Sequence, residues 1–366
     1  MTTHRQQAPR RTLLWLPART VLGLKRSLAA LMQALVYRAP RADAGSVLVY
    51  RIGSIGDFAA ATAALVAIRK RHPSAQLHLL TNSPGHWPTQ LGLDTALGLE
   101  VHAYDTPRAL GQLIRECKPD ALYYLPPCPT GLRRAWRDAL FFRLHGVRRA
   151  RGFSTADATG WVARALRPAW NAPAEHERLL QACGLPDPGR LATPPNAPTS
   201  LTRPYVILAP TGKTDVQQWP ATRWLAVASA LEAAAITPVW AGDETDAARL
   251  RSHGPLPGND QLLGKANLAE VCGALSQALA FAGNDSGLAH LAALCATPAI
   301  VVSSARAAAG AWTPRSNGAP VLVLRKDMNC EACRRATCPD TACLDAIAVD
   351  DVLQALRGLG ILPPTT

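Results

Sequence analysis

The stretch GNDSGLAHLAALCATPAIVV, residues 283–302, combines residue types that can bind a phosphate and a sugar. An apolar segment precedes it and leucines follow at helical spacing, which predicts a strand that gives way to a helix near Ser286. Unpaired backbone N–H groups and the positive end of the helix dipole attract phosphate at such a start. Gly287 would let a ligand approach the backbone, and Asp285 is suited to sugar hydroxyls. The pattern therefore predicts an anion and sugar site, with His290 one turn into the helix.

A second interpretation of the same residues is purely structural, since an aspartate often caps a helix and a histidine can be buried in a core. The pattern D-S-G-x-x-H-L-A after a buried strand resembles the donor motif of the heptosyltransferases, glycosyltransferase family 9. This resemblance favours binding over a purely structural role. It implies five donor-binding residues: Asp285, Ser286, Gly287, Leu288 and His290.

The glycine turn RIGSIGD, residues 51–57, lies between the apolar run VLVY and a helical segment. A glycine turn after a first strand is weak by itself, because many α/β domains have one. The turn resembles the opening motif of the same family. The resemblance implies that Asp57 is the general base that takes the proton from the acceptor hydroxyl, and that Arg51 and Ser54 lie near the acceptor. A capping role for Asp57 would be compatible with catalysis.

These two motifs stand in two successive alternations of strands and helices. In residues 46–184, apolar runs such as VLVY and ALYY alternate with helical segments. Six prolines interrupt residues 185–204, and the alternation begins again at YVILAP in residues 205–366. Two Rossmann-like halves facing a central cleft form the α/β architecture called GT-B. In that architecture the acceptor lies on the N-terminal half and the nucleotide sugar on the C-terminal half.

The loop after YVILAP resembles the loop that binds the donor phosphates in the family. Thr211 and Gly212 could bind phosphate through a hydroxyl and the backbone. Gln217 and Gln218 stand where the family usually has at least one cation. Lys213 is therefore predicted to supply the positive charge.

Two further segments match the positions where the family binds the nucleoside. Asp243 or Glu244, after the predicted strand TPVWAG, matches the acid that accepts hydrogen bonds from the ribose hydroxyls. The backbone near Lys265 and Ala266 matches the border of the adenine pocket.

The net charge of +13 is confined to two segments. Residues 1–45 hold eight Lys and Arg against one Asp, residues 133–151 hold seven Arg against one Asp, and the rest of the chain is neutral. The first segment is a basic N-terminal extension whose apolar stripe predicts a helix on an anionic membrane surface. The alternatives are a helix packed on the fold and a partly disordered extension. The stripe consists of Val21, Leu24, Leu28, Leu31 and Leu35.

In the second basic segment, arginines are mixed with aromatic residues. Such a patch can bind nucleic acid, but no nucleic-acid motif accompanies it. An anionic glycolipid acceptor or membrane is the preferred partner, and a solvated helical face is the alternative. The predicted acceptor contacts are Arg133, Arg134 and Arg137.

Four of the nine cysteines, Cys330, Cys333, Cys338 and Cys343, follow the spacing C-x2-C-x4-C-x4-C. Four thiolates could bind Zn or an iron centre, and reduced thiols or a labile disulfide are alternatives. Family members often carry a comparable cysteine segment, so it supports the resemblance whatever it binds.

The resemblance implies an inverting transfer of heptose from ADP-L-glycero-β-D-manno-heptose to an inner-core lipopolysaccharide sugar, with no metal required for the chemistry. No apolar run reaches the roughly 18 residues of a membrane span, and the first 45 residues lack the pattern of a signal peptide. The expected location is cytoplasmic, on the inner face of the inner membrane. One alternative is a related transferase with another nucleotide sugar or a protein or capsule acceptor. The other is a non-catalytic membrane-surface protein that senses metal or redox state through its cysteines.

Overall fold

The computed structural model describes residues 15–82, 87–126, 128, 130–154, 157, 160–166, 172–210, 212–326, 328, 333, 337–338 and 340–364. Within these residues the chain forms two parallel β-sheets, one in each half. Thr211 and Cys330 lie outside the described residues. Among the described helices, none combines the length and the apolar character that crossing a bilayer requires.

The N-terminal sheet has five strands in the order β3-β2-β1-β4-β5, all parallel. Its central strands are short runs of Val, Leu, Ala and Tyr that are buried almost throughout, as expected for a parallel sheet covered on both faces. The strands are Ser46–Tyr50 (β1), Gln76–Thr81 (β2), Leu99–Ala103 (β3), Ala121–Tyr124 (β4) and Ala150–Arg151 (β5).

The C-terminal sheet has six parallel strands in the order β11-β10-β9-β6-β7-β8. The strand order reverses beside β6, and this switch opens a crevice at the carboxyl ends of the strands where ligands of such sheets bind. The strands are Tyr205–Ala209 (β6), Thr237–Gly242 (β7), Asn259–Leu263 (β8), Ala280–Asn284 (β9), Ala299–Val302 (β10) and Val321–Leu324 (β11).

Helices cover the faces of both sheets and make the contacts between the halves. The helices before the proline-rich segment are Trp15–Val36 (α1), Ile55–Arg71 (α2), Trp87–Gln90 (α3), Leu93–Leu97 (α4), Pro107–Cys117 (α5), Leu132–Leu144 (α6), Gly160–Leu166 (α7) and Glu175–Cys183 (α8). Those after it are Ala221–Ala233 (α9), Glu244–Arg251 (α10), Leu268–Gln277 (α11), Gly287–Leu294 (α12), Ala342–Asp345 (α13) and Val349–Gly358 (α14). These sheets and helices confirm the predicted GT-B architecture.

Helix α2 is the centre of the contact between the two halves. It packs against α8 of its own half and α12 of the other half. Its residues from Gly56 to Ile68 are buried except Asp57, and half of the buried ones are alanines, whose small side chains let neighbouring helices approach closely.

The segment 185–204 runs over the C-terminal half. Its Ala197 N–H donates to the carbonyl of Ala269 at 3.1 Å, and its Leu191 N–H donates to Asn317 Oδ1 at 2.9 Å. A Cβ on Gly273 would lie 1.9 Å from the Ala197 carbonyl oxygen, so α11 needs a glycine where the segment crosses it. The segment is therefore fixed to the second half by backbone contacts.

Helix α1 has two apolar faces. One face packs against α6 and α7 and buries Ala18, Leu22, Ala29 and Met32. The other face carries the leucines that define the stripe in the sequence, and Leu24, Leu31 and Leu35 are more than half exposed. The predicted stripe is thus the solvent-facing side, and the helix is also packed on the fold.

Candidate active site

A cleft of about 1740 Å³ lies between the halves, at the carboxyl ends of the strands. Both halves contribute to its wall. Of the residues predicted from the sequence, those that line it are Ser54, Asp57, Gly212, Lys213, Asp243, Ala266, Asp285, Ser286, Gly287, Leu288 and His290. Six other predicted site residues are not among the described residues that line the cleft: Arg51, Arg133, Arg134, Arg137, Glu244 and Lys265.

The floor of the cleft is the place where the first turns of α2 and α12 meet. A Cβ on Gly287 would lie 2.2 Å from Ile55 Cγ2, and a Cβ on Gly56 would lie 3.4 Å from the Gly287 Cα. The two helix starts can touch because neither glycine carries a side chain. Both helices therefore direct unpaired N–H groups and positive dipole ends into one cleft, which suits a diphosphate.

Asp57 lies in the first turn of α2 and reaches back to Ser54. Its Oδ2 accepts hydrogen bonds from the Ser54 N–H and hydroxyl, both at 2.8 Å, and its Oδ1 lies 3.2 Å from Arg51 Nη2. The side chain keeps 21% of its surface exposed in the cleft. Ser54 is the N-cap of α2, so Asp57 is the acid of a capping box.

Arg51 is fully buried and contacts both the carbonyl and the carboxylate of Asp57. Its guanidinium donates to the Asp57 carbonyl at 3.0 Å, to the Pro126 carbonyl at 3.1 Å and to Glu175 Oε1 at 3.1 Å. The Arg51 side chain is not exposed in the cleft, and its predicted contact with the acceptor stays a prediction. What the structure shows is that Arg51 holds the side chain and the carbonyl of Asp57.

Glu175 and Arg178 complete this buried network, and the sequence reasoning missed both. Arg178 Nε donates to Glu175 Oε2 at 2.7 Å, and its Nη1 lies 3.8 Å from Asp157 Oδ2. Glu175 is 2% exposed, so its charge requires both arginines. The only signal in the sequence was the i,i+3 pairing of these residues on one helical face, which many surface helices also show.

His290 lies on the first turns of α12 beside the contact with α2. It is 5% exposed, and its ring stands perpendicular to that of Trp312 at 6.2 Å between centroids. Burial lowers the pKa of His290 to about 4, although the nearby Asp57 carboxylate acts in the opposite direction. The imidazole is therefore neutral at pH 7 and can donate one hydrogen bond or accept one.

Asp285 follows β9 and precedes Ser286, the N-cap of α12. Its Oδ2 accepts a hydrogen bond from the Ser303 hydroxyl at 3.3 Å. Loss of solvent raises its pKa to about 6, while Ser303, Arg306 and Arg325 oppose the increase. Ser286 takes the capping position, and Asp285 lines the cleft.

The two glutamines of the loop after β6 contact backbone carbonyls. Gln218 Nε2 donates to the Gly212 carbonyl at 2.9 Å, and Gln217 Nε2 lies 3.5 Å from the Asp285 carbonyl. A Cβ on Gly212 would lie 2.8 Å from Gln218 Cγ, so the loop is closely packed. The glutamines thus shape the loop, and Lys213 is exposed at its edge on the cleft.

The described residues that line the cleft also include cations that the sequence reasoning did not place there, among them Arg249 and Arg306. Arg249 Nη2 donates to Asp246 Oδ1 at 3.0 Å and also to the carbonyl of Pro210. Asp246 is buried, and burial together with the Asp243 carboxylate raises its pKa to about 6. Asp243 is the N-cap of α10 and accepts a hydrogen bond from the Asp246 N–H at 2.9 Å.

The predicted arginines of α6 and the described cysteines of the predicted thiol set are not among the residues that line the cleft. Arg134 and Arg137 are on α6, where their guanidinium groups lie 3.7 Å and 2.7 Å from the Asp138 carboxylate. Cys333, Cys338 and Cys343 are half-buried, and Cys343 packs on the core of the C-terminal half. The predicted four-thiol set includes Cys330 and so extends outside the described residues.

A family model described as glycosyltransferase family 9 (heptosyltransferase) matches residues 134–343, more than half of the chain. No curated protein sequence matches the chain. Among solved structures, a family 9 glycosyltransferase from Veillonella parvula is similar with a TM-score of 0.64 and 15% identity, over 88% of this chain and 98% of that one.

Two Escherichia coli structures have the same architecture. The ADP-heptose lipopolysaccharide heptosyltransferase II has a TM-score of 0.60 at 18% identity, over 86% of this chain and 98% of its own. The iron-containing dodecameric glycosyltransferase TibC has a TM-score of 0.55 at 16% identity, over 87% of this chain and 77% of its own. At these identities the similarity establishes the fold, with two parallel sheets facing a cleft.

Proposed function

The chain belongs to glycosyltransferase family 9, the heptosyltransferase family, and from that premise we propose that it moves a heptose from an ADP-heptose to an inner-core sugar of lipopolysaccharide, with inversion. The observation that carries the proposal is the meeting of two helix starts beneath one cleft, with Asp57 on one side and Asp285 on the other. Membership of a transferase family also favours an enzyme over a non-catalytic sensor.

The donor would bind along the C-terminal half. Its diphosphate would lie at the start of α12, where backbone N–H groups, the helix dipole and the Lys213 ammonium supply positive potential. Asp243 at the start of α10 is placed to accept hydrogen bonds from the ribose, and the backbone at Ala266 borders the base. Asp285 would hold the heptose hydroxyls.

Asp57 would act as the general base. An acceptor hydroxyl in the cleft gives its proton to the carboxylate, and its oxygen attacks the anomeric carbon from the face opposite the ADP. The bond between that carbon and the phosphate oxygen breaks, and ADP leaves with the electron pair. The start of α12 and the nearby cations would stabilise the charge that develops on the leaving phosphate. Arg51 and Ser54 hold the carboxylate in place.

The acceptor would approach from a membrane that contacts the face of the protein formed by α1 and α6. A groove of about 460 Å³ between these helices is lined mostly by apolar residues: Leu28, Leu31, Met32, Leu35, Val36, Trp136, Arg137, Ala139 and Leu140. Exposed leucines at the rim are interspersed with the arginines of α6 and with Lys25. Apolar and basic groups on one face favour the cytoplasmic surface of an anionic inner membrane. Arg26, also on α1, lines the cleft and connects this face with the site.

A related transferase that uses another nucleotide sugar is the second candidate. The observation in its favour is that Gln217 and Gln218 occupy the loop positions where the family usually has a cation, and both point to backbone. Such a loop lowers the positive charge near the donor.

A binding and transfer experiment tests the two candidates. Calorimetry with ADP-heptose, GDP-mannose and UDP-glucose measures donor preference, and mass spectrometry measures transfer to a lipopolysaccharide core that lacks heptose. We expect the tightest binding for ADP-heptose and a mass gain of one heptose. Binding of a GDP- or UDP-sugar in preference to ADP-heptose would contradict the proposed donor and support the second candidate.

A further inference from the structure

A cluster of polar side chains occupies one face of the N-terminal sheet, apart from the residues that line the cleft. His78 on β2 and His102 on β3 bring their Nδ1 and Nε2 atoms to 3.1 Å. Cys117, the last residue of α5, places its Sγ 4.0 Å from the same Nε2. The ligand atoms of the two histidines and the cysteine all lie within 4.8 Å of one another.

Glu100 lies beside this cluster and offers a fourth ligand group, a carboxylate. Its Oε2 lies 3.3 Å from His78 Nδ1, and its Oε1 lies 3.6 Å from His102 Nε2. The parallel register explains the arrangement, because His78 pairs directly with Glu100 and His102 is two residues further along β3. Alternate residues of a strand share one face, so all three side chains point to the same side of the sheet.

The separations fit a tetrahedral metal ion. Zinc bonds of about 2.0–2.1 Å to nitrogen or oxygen and about 2.3 Å to sulfur put ligand atoms roughly 3.3–3.8 Å apart. Four of the observed separations that involve a histidine run from 3.1 to 4.0 Å, and every pair among the two histidines and Cys117 lies within 4.8 Å. Two imidazoles, a thiol and a carboxylate are also the donor types that zinc prefers.

We propose that His78, His102 and Cys117, together with Glu100, bind a divalent metal ion of the zinc class. The ion would join β2, β3 and the end of α5 at a point where the neighbouring core side chains, such as Leu110 and Ile114, are apolar. None of these four residues is among those that line the cleft, so the role is structural. Gln76 Nε2 donates to Glu100 Oε2 at 3.0 Å and would orient the carboxylate.

The competing interpretation is a simple hydrogen bond between the two imidazoles, with Cys117 as a neighbouring thiol. Burial lowers the pKa of His78, which favours the neutral ring that both interpretations require. The two interpretations differ in what happens when metal is supplied.

Metal content after loading tests the proposal. The full-length chain is dialysed against a chelator, loaded with Zn²⁺, freed of excess metal and analysed by mass spectrometry for zinc. Because the cysteines at 330–343 could also bind zinc, each protein is prepared both unchanged and with all four changed to Ser. In the second background we expect about one equivalent of zinc in the parent.

His102→Ala and Cys117→Ser should each lose this equivalent in both backgrounds, and His253→Ala, which changes an exposed histidine elsewhere, should keep it. Zn²⁺ should raise the melting temperature of the parent and of His253→Ala only. With Co²⁺, the sulfur-to-metal absorption should disappear in Cys117→Ser. Equal zinc content in the parent, His102→Ala and Cys117→Ser would overturn the proposal. If the serine background does not fold, the difference between the unchanged parent and His102→Ala decides.

Discussion

The contact between the two helix starts can be tested at Gly287. An alanine there would place its Cβ 2.2 Å from Ile55 Cγ2, and the next contact, the Gly56 nitrogen, would lie at 3.3 Å. The first distance is far inside van der Waals contact, so α12 and α2 must separate or one side chain must move. Overpacking of this kind costs about 1–3 kcal/mol, which corresponds to roughly 5- to 150-fold in an equilibrium that requires the contact.

We expect Gly287→Ala to lower both the affinity for ADP, measured by calorimetry, and the kcat/KM of transfer within that range. Ile55→Ala removes the Cγ2 that would clash, so the double variant Ile55→Ala/Gly287→Ala should recover much of the loss. Gly23→Ala is the matched control, because a Cβ at that helical position would meet nothing within 4 Å. Parental affinity and turnover in the single variant would refute the reasoning, and so would a double variant no better than the single one.

Four further changes test separate parts of the site. Asp57→Asn should lower kcat by about 10²–10⁴-fold and leave the Kd for ADP unchanged, because the base lies on the acceptor side; turnover within tenfold of the parent would remove it from the mechanism. Lys213→Ala should weaken ADP binding more than adenosine binding, by about 1.5–3 kcal/mol for a charge-assisted contact, as measured by calorimetry; equal ADP affinity would mean that the loop needs no cation. Changing Leu31 and Leu35, both exposed, to Ser should reduce sedimentation with anionic vesicles and leave the melting temperature unchanged; unaltered sedimentation would argue against a membrane face on α1. His290 has a folded-state pKa of about 4, below its ordinary value of 6.5, so the unfolded state binds the extra proton and stability should fall as pH falls from about 6.5 to 4; a His290→Gln variant with the same decrease would show that another group is responsible.

Individual strands and helices could be predicted from the sequence because each is specified by residues that are close together in the chain. The run YVILA is β6, the helical segment predicted after the first glycine turn belongs to α2, and the helix of the donor motif begins at Gly287. Each is defined by the periodicity of a few adjacent residues and by the turn that follows. The two-half architecture followed from the repetition of that pattern around the prolines of 185–204.

The face of α1 that packs on the fold could not be predicted in this way. A stripe of large leucines predicts one buried or membrane-facing side, but the face that packs on the fold carries smaller residues such as Ala18 and Ala29 beside Leu22. Small residues give a weak periodic signal, although they permit close helix packing. The packed alternative is therefore seen on one side of α1, and contact of the exposed leucines on the other side with a membrane stays a prediction.

The support beneath Asp57 depends on residues far apart in the chain. Arg51 and Asp57 belong to one motif, but Glu175 is more than a hundred residues away and meets Arg51 only because α8 packs against α2. A buried arginine beside a single carboxylate leaves other donors to be satisfied, and here the Pro126 carbonyl and Glu175 accept from them. The motif alone identifies the arginine as a neighbour of the aspartate, and only the folded arrangement shows that its charge is already balanced. An arginine held in this way stabilises one orientation of Asp57, and its burial separates it from the cleft, so we infer a positioning role for it.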